Sequence, residues 1–132
     1  MKDINKQIIN NVNNDKGFIF NNNFKVVKLT NEEAIVECKL DEKSLNPMGI
    51  AHGGLIFGLA DTASGLLAYT TGKSNVTTSA NINYLKPGKG KKLIAIARKI
   101  KVGKNIGYYS VDISNENNEL IAVSTVNMYF IN

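Results

Sequence analysis

Between Asn75 and Leu85 the chain alternates, with Val76, Thr78, Ala80, Ile82 and Tyr84 on one side and Thr77, Ser79, Asn81 and Asn83 on the other. A period of two marks a strand with one polar face. Lys86-Pro87-Gly88 breaks the pattern. Three more apolar runs follow, Leu93 to Val102, Ile106 to Ser114 and Leu120 to Phe130, separated by Gly103-Lys104-Asn105 and by Asn115 to Asn118. The spacing of all four predicts an antiparallel meander. Upstream, Phe24 to Leu29 and Ala34 to Leu40 read as two strands joined at Thr30-Asn31-Glu32.

Two segments follow a helical period instead. Ile4, Ile8, Ile9 and Val12 predict a short helix ending near Asn14. Leu55, Leu59, Ala60, Ala63, Leu66 and Leu67 give a broad apolar surface to one long helix from Gly53 to about Thr71, which Gly72 stops. Asp41 to Ala51 reads as a loop, broken by Asn46-Pro47 and Gly49. The fold class is therefore α+β, an antiparallel sheet around one long central helix. Residues 1–132 form a single domain, with 1–23 as an N-terminal helix and lead-in. One helix covers little of a six-stranded sheet, so a homodimer or higher assembly is expected.

Composition narrows the chemistry. Cys38 and His52 are the single cysteine and histidine, too few for a disulfide framework or a Cys/His metal site. The formal charge of +5 is uneven. Lys86, Lys89, Lys91, Lys92, Arg98, Lys99, Lys101 and Lys104 lie in one segment without an acid, and the remaining residues carry eight cations against eleven acids, a net of −3. This is a mildly acidic body with one basic stretch, which argues against a nucleic-acid coat. The start of the chain has no apolar leader, and the most hydrophobic stretch, Leu55 to Tyr69, is too short for a bilayer and holds Asp61. A cytoplasmic protein without a membrane segment is expected.

The residues with chemical promise gather at the long helix. His52-Gly53-Gly54 sits where a loop enters it. Glycine there admits a ligand to the free N–H groups and the positive end of the helix dipole, a ready anion or oxyanion site. Asp61 is an acid inside an apolar helix, where a carboxylate must be paired, hydrogen-bonded or functional. Seven residues separate it from Gly54, which puts both on one face but about 10 Å apart along the axis. Two antiparallel helices across a dimer could bring Asp61 of one chain to Gly54 of the other. His52 and Asn46 are secondary candidates for orienting the loop.

Asn46, His52-Gly53-Gly54, Asp61 and the strand end Asn83-Tyr84-Leu85-Lys86-Pro87-Gly88, with the later Gly103-Lys104-Asn105 turn, resemble the hotdog-fold acyl-CoA thioesterases of the PaaI-like subfamily. The resemblance spans roughly Phe24 to Phe130. It implies that the Gly54 N–H polarises the thioester carbonyl and that Asp61, from the neighbouring subunit, acts as general base or nucleophile. It implies supporting roles for Asn46, His52 and Thr77, with Ser79 on the same face as Thr77 by alternation. Gly53, Phe57, Ser79, Lys86, Lys89 and Lys104 are the expected substrate contacts, the lysines for the phosphates of coenzyme A. Leu55, Ile50 and Met48 are further guesses for the pocket wall. No cofactor is implied beyond coenzyme A as part of the substrate, and a dimer of dimers is the implied assembly. A hotdog acyl dehydratase using His52 as base, a non-catalytic acyl-CoA-binding protein and a nucleic-acid-binding protein are the competing readings.

Overall fold

The computed structural model describes residues 2–131. Met1 and Asn132, the ends of the expected domain, lie outside the described residues. The elements run α1 (Lys2–Asn13), α2 (Phe18–Asn21), β1 (Phe24–Leu29), β2 (Glu33–Lys39), a 3-10 turn (Glu42–Ser44), α3 (Gly53–Tyr69), β3 (Asn75–Tyr84), β4 (Lys92–Val102), β5 (Ile106–Asn115) and β6 (Leu120–Phe130). All strand pairs are antiparallel, in the order β1-β2-β4-β5-β6-β3. The expected α+β class and the single long helix are both present. No helix among the described residues is long and apolar enough to cross a membrane.

Alternation in each central strand turns one row of side chains toward α3. Ala34, Val36 and Cys38 on β2, Leu93, Ala95 and Ala97 on β4, and Val111 and Ile113 on β5 are all fully buried. They meet Leu59, Ala60, Ala63, Leu67 and Ala68 of α3 in one core. The small residues on both sides let helix and sheet approach closely, and the larger ones fill what remains. Ser64 remains on this helix by donating its hydroxyl to the Ala60 carbonyl.

Two features depart from the sequence reading. The meander covers only β4, β5 and β6; β3 pairs with β6 at the far edge instead of with β4. The Leu85–Lys91 connection crosses the end of the sheet to start β4, and the Gly88 carbonyl accepts from the Ala51 N–H on its way past the helix entry. Within β3, a bulge falls between Thr77 and Ser79. The bulge reverses the alternation. Thr77 sits opposite Met128 and faces α3, whereas Ser79 sits opposite Asn127 on the outer face and accepts a hydrogen bond from its amide. Thr77 and Ser79 therefore do not share a face.

β3 is also the exposed edge of the sheet. From Val76 to Asn81 every residue is exposed, including Ala80 on the helix-facing side. The core is unfinished along this strand, and its outer hydrogen-bonding groups have no strand beside them.

Candidate active site

The entry to α3 is built by its own cap. His52 is extended, and its Nδ1 accepts from the Gly54 N–H at 2.8 Å. A side-chain acceptor on the second N–H of a helix is the usual N-cap bond. Glycine at 54 makes room for it, since a Cβ there would lie 3.0 Å from His52 Nδ1. The Gly54 N–H, expected to be the open donor, is engaged in this bond. The Gly53 N–H, one residue earlier, has no acceptor among the described residues. Gly53 is held from its other side, where the Tyr84 hydroxyl donates to its carbonyl at 2.8 Å. Partial burial raises the Tyr84 phenol above its ordinary pKa, so it stays a donor at neutral pH.

Asn46 braces the preceding loop. Its side-chain oxygen accepts from the N–H groups of Met48 and Ile50, and its own N–H donates to the Ile50 carbonyl. With Ile50, Gly53, Ile56, Tyr84 and Lys86 it lines a cleft of about 340 Å³. Lys86 stands at its mouth, 3.6 Å from Glu119.

Asp61 lies two turns along α3 and is exposed. Its Oδ1 accepts from the Thr77 hydroxyl at 2.6 Å. The β3 bulge makes this possible by turning Thr77 toward the helix. The pair opens on a second hollow, of about 240 Å³, walled by Val12, Ile19, Leu66, Asn75 and Met128 among others. The Gly53 N–H thus lies at one end of β3 and the Asp61–Thr77 pair at the other. At helical rise, Gly53 and Asp61 are about 12 Å apart along α3.

The other expected contacts scatter. Phe57 is half-buried on α3 and lines neither hollow. Ser79 points away on the outer face. Lys89 is exposed in the loop before β4. Lys104 stands at the opposite end of β3 from Lys86, where its carbonyl accepts from Lys73 Nζ. Within the basic stretch, Lys86, Lys92, Arg98 and Lys99 pair with Glu119, Glu37, Glu33 and Glu32, which disposes of half its apparent charge. Tyr84 and Asn75, which the sequence reading does not single out as contacts, line the first and second hollow. The Tyr84 position at the strand end was visible in sequence, but its reach to Gly53 depends on the tertiary fold. Among the described residues, no three His, Cys, Asp or Glu side chains cluster as metal ligands would.

Comparison with known proteins points in one direction. Residues 48–122 match the model of the thioesterase superfamily. The acyl-coenzyme A thioesterase PaaI of Escherichia coli is 30% identical over 99 residues, 74% of this chain and 71% of that protein. Its solved structure superposes with a TM-score of 0.91 at 24% identity, covering 97% of this chain and 94% of that one, and shows the same hotdog fold. A Streptococcus mutans protein solved with acetyl CoA bound is 34% identical, with a TM-score of 0.81 over 89% of this chain and 96% of that one. A hypothetical thioesterase of Streptococcus pneumoniae, solved with coenzyme A, is 33% identical, with a TM-score of 0.78 over 83% of this chain and 89% of that one. The same protein has been solved with an aspartate and, separately, a threonine changed to alanine, the two lying sixteen residues apart. Asp61 and Thr77 are separated by the same interval.

Proposed function

The chain belongs to the thioesterase superfamily, and from that premise we propose that it hydrolyses acyl-CoA thioesters in the cytoplasm at a site shared between two subunits. The observation that carries the reading is the 2.6 Å bond from Thr77 to Asp61 at the rim of a hollow. One carboxylate oxygen is held and the other is left for a water molecule. Asp61 then serves as general base. Water adds to the thioester carbonyl carbon as its proton passes to Asp61. The developing oxyanion is received by the Gly53 N–H at the positive end of α3. Collapse of the tetrahedral intermediate breaks the C–S bond, and the leaving thiolate of coenzyme A takes back the proton held by Asp61, which returns the carboxylate. Asn46 and the His52 cap hold the loop that aims Gly53. Such a hydrolysis needs no cofactor.

The two half-sites are too far apart within one chain to act on one carbonyl. Antiparallel pairing of two β3 edges, with the dyad near Ala80–Asn81, would bring the Asp61–Thr77 end of one strand to the Gly53–Tyr84 end of the other. The exposed, unpaired length of β3 supports this arrangement. The same dyad would bring Lys104 of one chain toward Lys86 of its partner, so that both could face the phosphates of one coenzyme A. A further pairing of dimers into tetramers follows the family resemblance.

Asp61→Asn tests the reading. Release of free thiol from a panel of straight-chain and aromatic acyl-CoAs should fall by at least about 100-fold, the scale of a lost general base, in a protein of unchanged oligomeric mass. Single turnover in heavy-oxygen water should label the product acid and leave Asp61 unlabelled; label in Asp61 would make it a nucleophile.

A further inference from the structure

Two hydroxyls of β3 reach the central helix. Thr77 donates to Asp61 at 2.6 Å, and Tyr84, the last residue of the strand, donates to the Gly53 carbonyl at 2.8 Å. Thr77 stands three residues before Ala80 and Tyr84 three after Asn81, so the two bonds sit at matching distances from the Ala80–Asn81 step. Gly53 lies between two peptide units. The unit before it carries the Gly53 N–H, and the carbonyl of that unit, on His52, accepts from the Leu55 and Ile56 N–H groups at 3.0 and 3.2 Å. The unit after it is gripped at both polar atoms, its carbonyl by the Tyr84 hydroxyl and its N–H by His52 Nδ1. The residue between them is a glycine followed by a second glycine, a pair with wide backbone freedom and little intrinsic preference for a helix. Such a turn takes its direction from outside contacts, and the Tyr84 bond is the one that ties it to the edge strand. The Tyr84 ring also lies directly over Gly53, where a Cβ would stand 3.4 Å from its hydroxyl oxygen.

We propose that Tyr84 is a positioning residue for the hydrolysis, its hydroxyl holding the Gly53–Gly54 turn so that the Gly53 N–H is aimed at the thioester oxygen, as the Thr77 hydroxyl holds Asp61. One hydroxyl near each end of β3 then sets one functional group of α3, and the strand with the open edge is also the strand that aims the site. Tyr84 acts on the backbone that carries the donor and leaves the reacting atoms untouched. Its bond therefore matters where charge develops on the oxyanion and matters little for holding the substrate. The assignment rests on the reading of Gly53 as the oxyanion donor. Its structural half, a turn held by Tyr84, can be tested without turnover.

Tyr84→Phe keeps the ring over Gly53 and removes only the donor; Tyr84→Leu serves if the phenylalanine variant does not fold. Three measurements are made on the full-length protein. They are kcat for a straight-chain acyl-CoA, the Kd of the matching S-alkyl-coenzyme A thioether, which cannot be hydrolysed, and amide hydrogen exchange at Gly54. The variant should lose about tenfold in kcat, the scale of one hydrogen bond, with the thioether Kd unchanged. The Gly54 amide, protected by its bond to His52, should exchange faster, while amides in the middle of α3 keep their wild-type rates. An unchanged kcat, or a Kd that weakens in step with kcat, overturns the positioning role. Failure of the wild type to hydrolyse any acyl-CoA would instead overturn the hydrolytic reading, and Gly54 exchange would still decide whether Tyr84 holds the turn, an unchanged rate overturning that as well.

Discussion

The Thr77 hydroxyl donates to Asp61 Oδ1 at 2.6 Å, joining the edge strand to the central helix. That bond exists because a bulge in β3 turns Thr77 inward, opposite Met128, where simple alternation would have placed it with Ser79 on the outer face. It fixes the rotamer of an exposed acid and holds one of its two oxygens.

Thr77→Val keeps the shape of the side chain and removes the donor. A hydrogen bond to a charged group is worth about 1.5–3 kcal/mol, so kcat should fall roughly 10- to 100-fold with little change in KM. Steady-state kinetics on one acyl-CoA checks this, and an unchanged kcat would remove Thr77 from the site.

Gly53→Pro deletes the proposed oxyanion donor at a position that tolerates proline, because the first residue of a helix has no intrahelical use for its N–H. His52 before it is already extended, with ψ 136°, as a residue preceding proline must be. Loss of one such donor should lower kcat about 100- to 1000-fold while circular dichroism shows α3 intact.

His52→Ala removes the side-chain acceptor from the Gly54 N–H. A lost N-cap costs about 1 kcal/mol, so the thermal midpoint should drop by a few degrees and His52→Asn should recover most of it. An equal loss of activity in both variants, with stability restored in the second, would show that His52 does more than cap the helix.

Much of this site is legible in the sequence for a physical reason. An acid in an apolar helix and paired glycines at a helix entry are both costly, and each marks Asp61 and the Gly53–Gly54 turn without any coordinates. The engagement of the Gly54 N–H is legible too, since a histidine immediately before a helix can cap its second N–H. Other features depend on long-range pairing. Nothing local distinguishes a β3 that joins β6 from one that joins β4. The alternation from Val76 to Tyr84 runs straight through the bulge, so the inward turn of Thr77 is hidden. Phe57 lies near the helix entry in sequence yet lines neither hollow, and Asn75 reads as an ordinary strand start although its buried amide nitrogen has no partner among the described residues.

Cys38 should be inert in the folded protein. It is fully buried on β2, its thiol lies 3.2 Å from the Asn22 carbonyl, and burial pushes its pKa up to about 12. At pH 8 a thiol reagent should modify it only as fast as the protein opens, and denaturant should make the reaction immediate. The sign of the shift also lowers stability as pH rises from about 9 toward 12, since the unfolded thiol ionises first and draws the equilibrium toward unfolding.

The central claim is a site completed by two chains, and mixed oligomers test it most directly. Asp61→Asn and Gly53→Pro proteins, each inactive alone, are unfolded together, refolded and assayed for thiol release. A shared site predicts recovered activity in the mixture, because a mixed dimer holds one intact Gly53 donor facing one intact Asp61. If the mixture stays as inactive as its parents while mass measurement shows that mixed dimers have formed, the two half-sites do not meet across the subunits and the account is wrong.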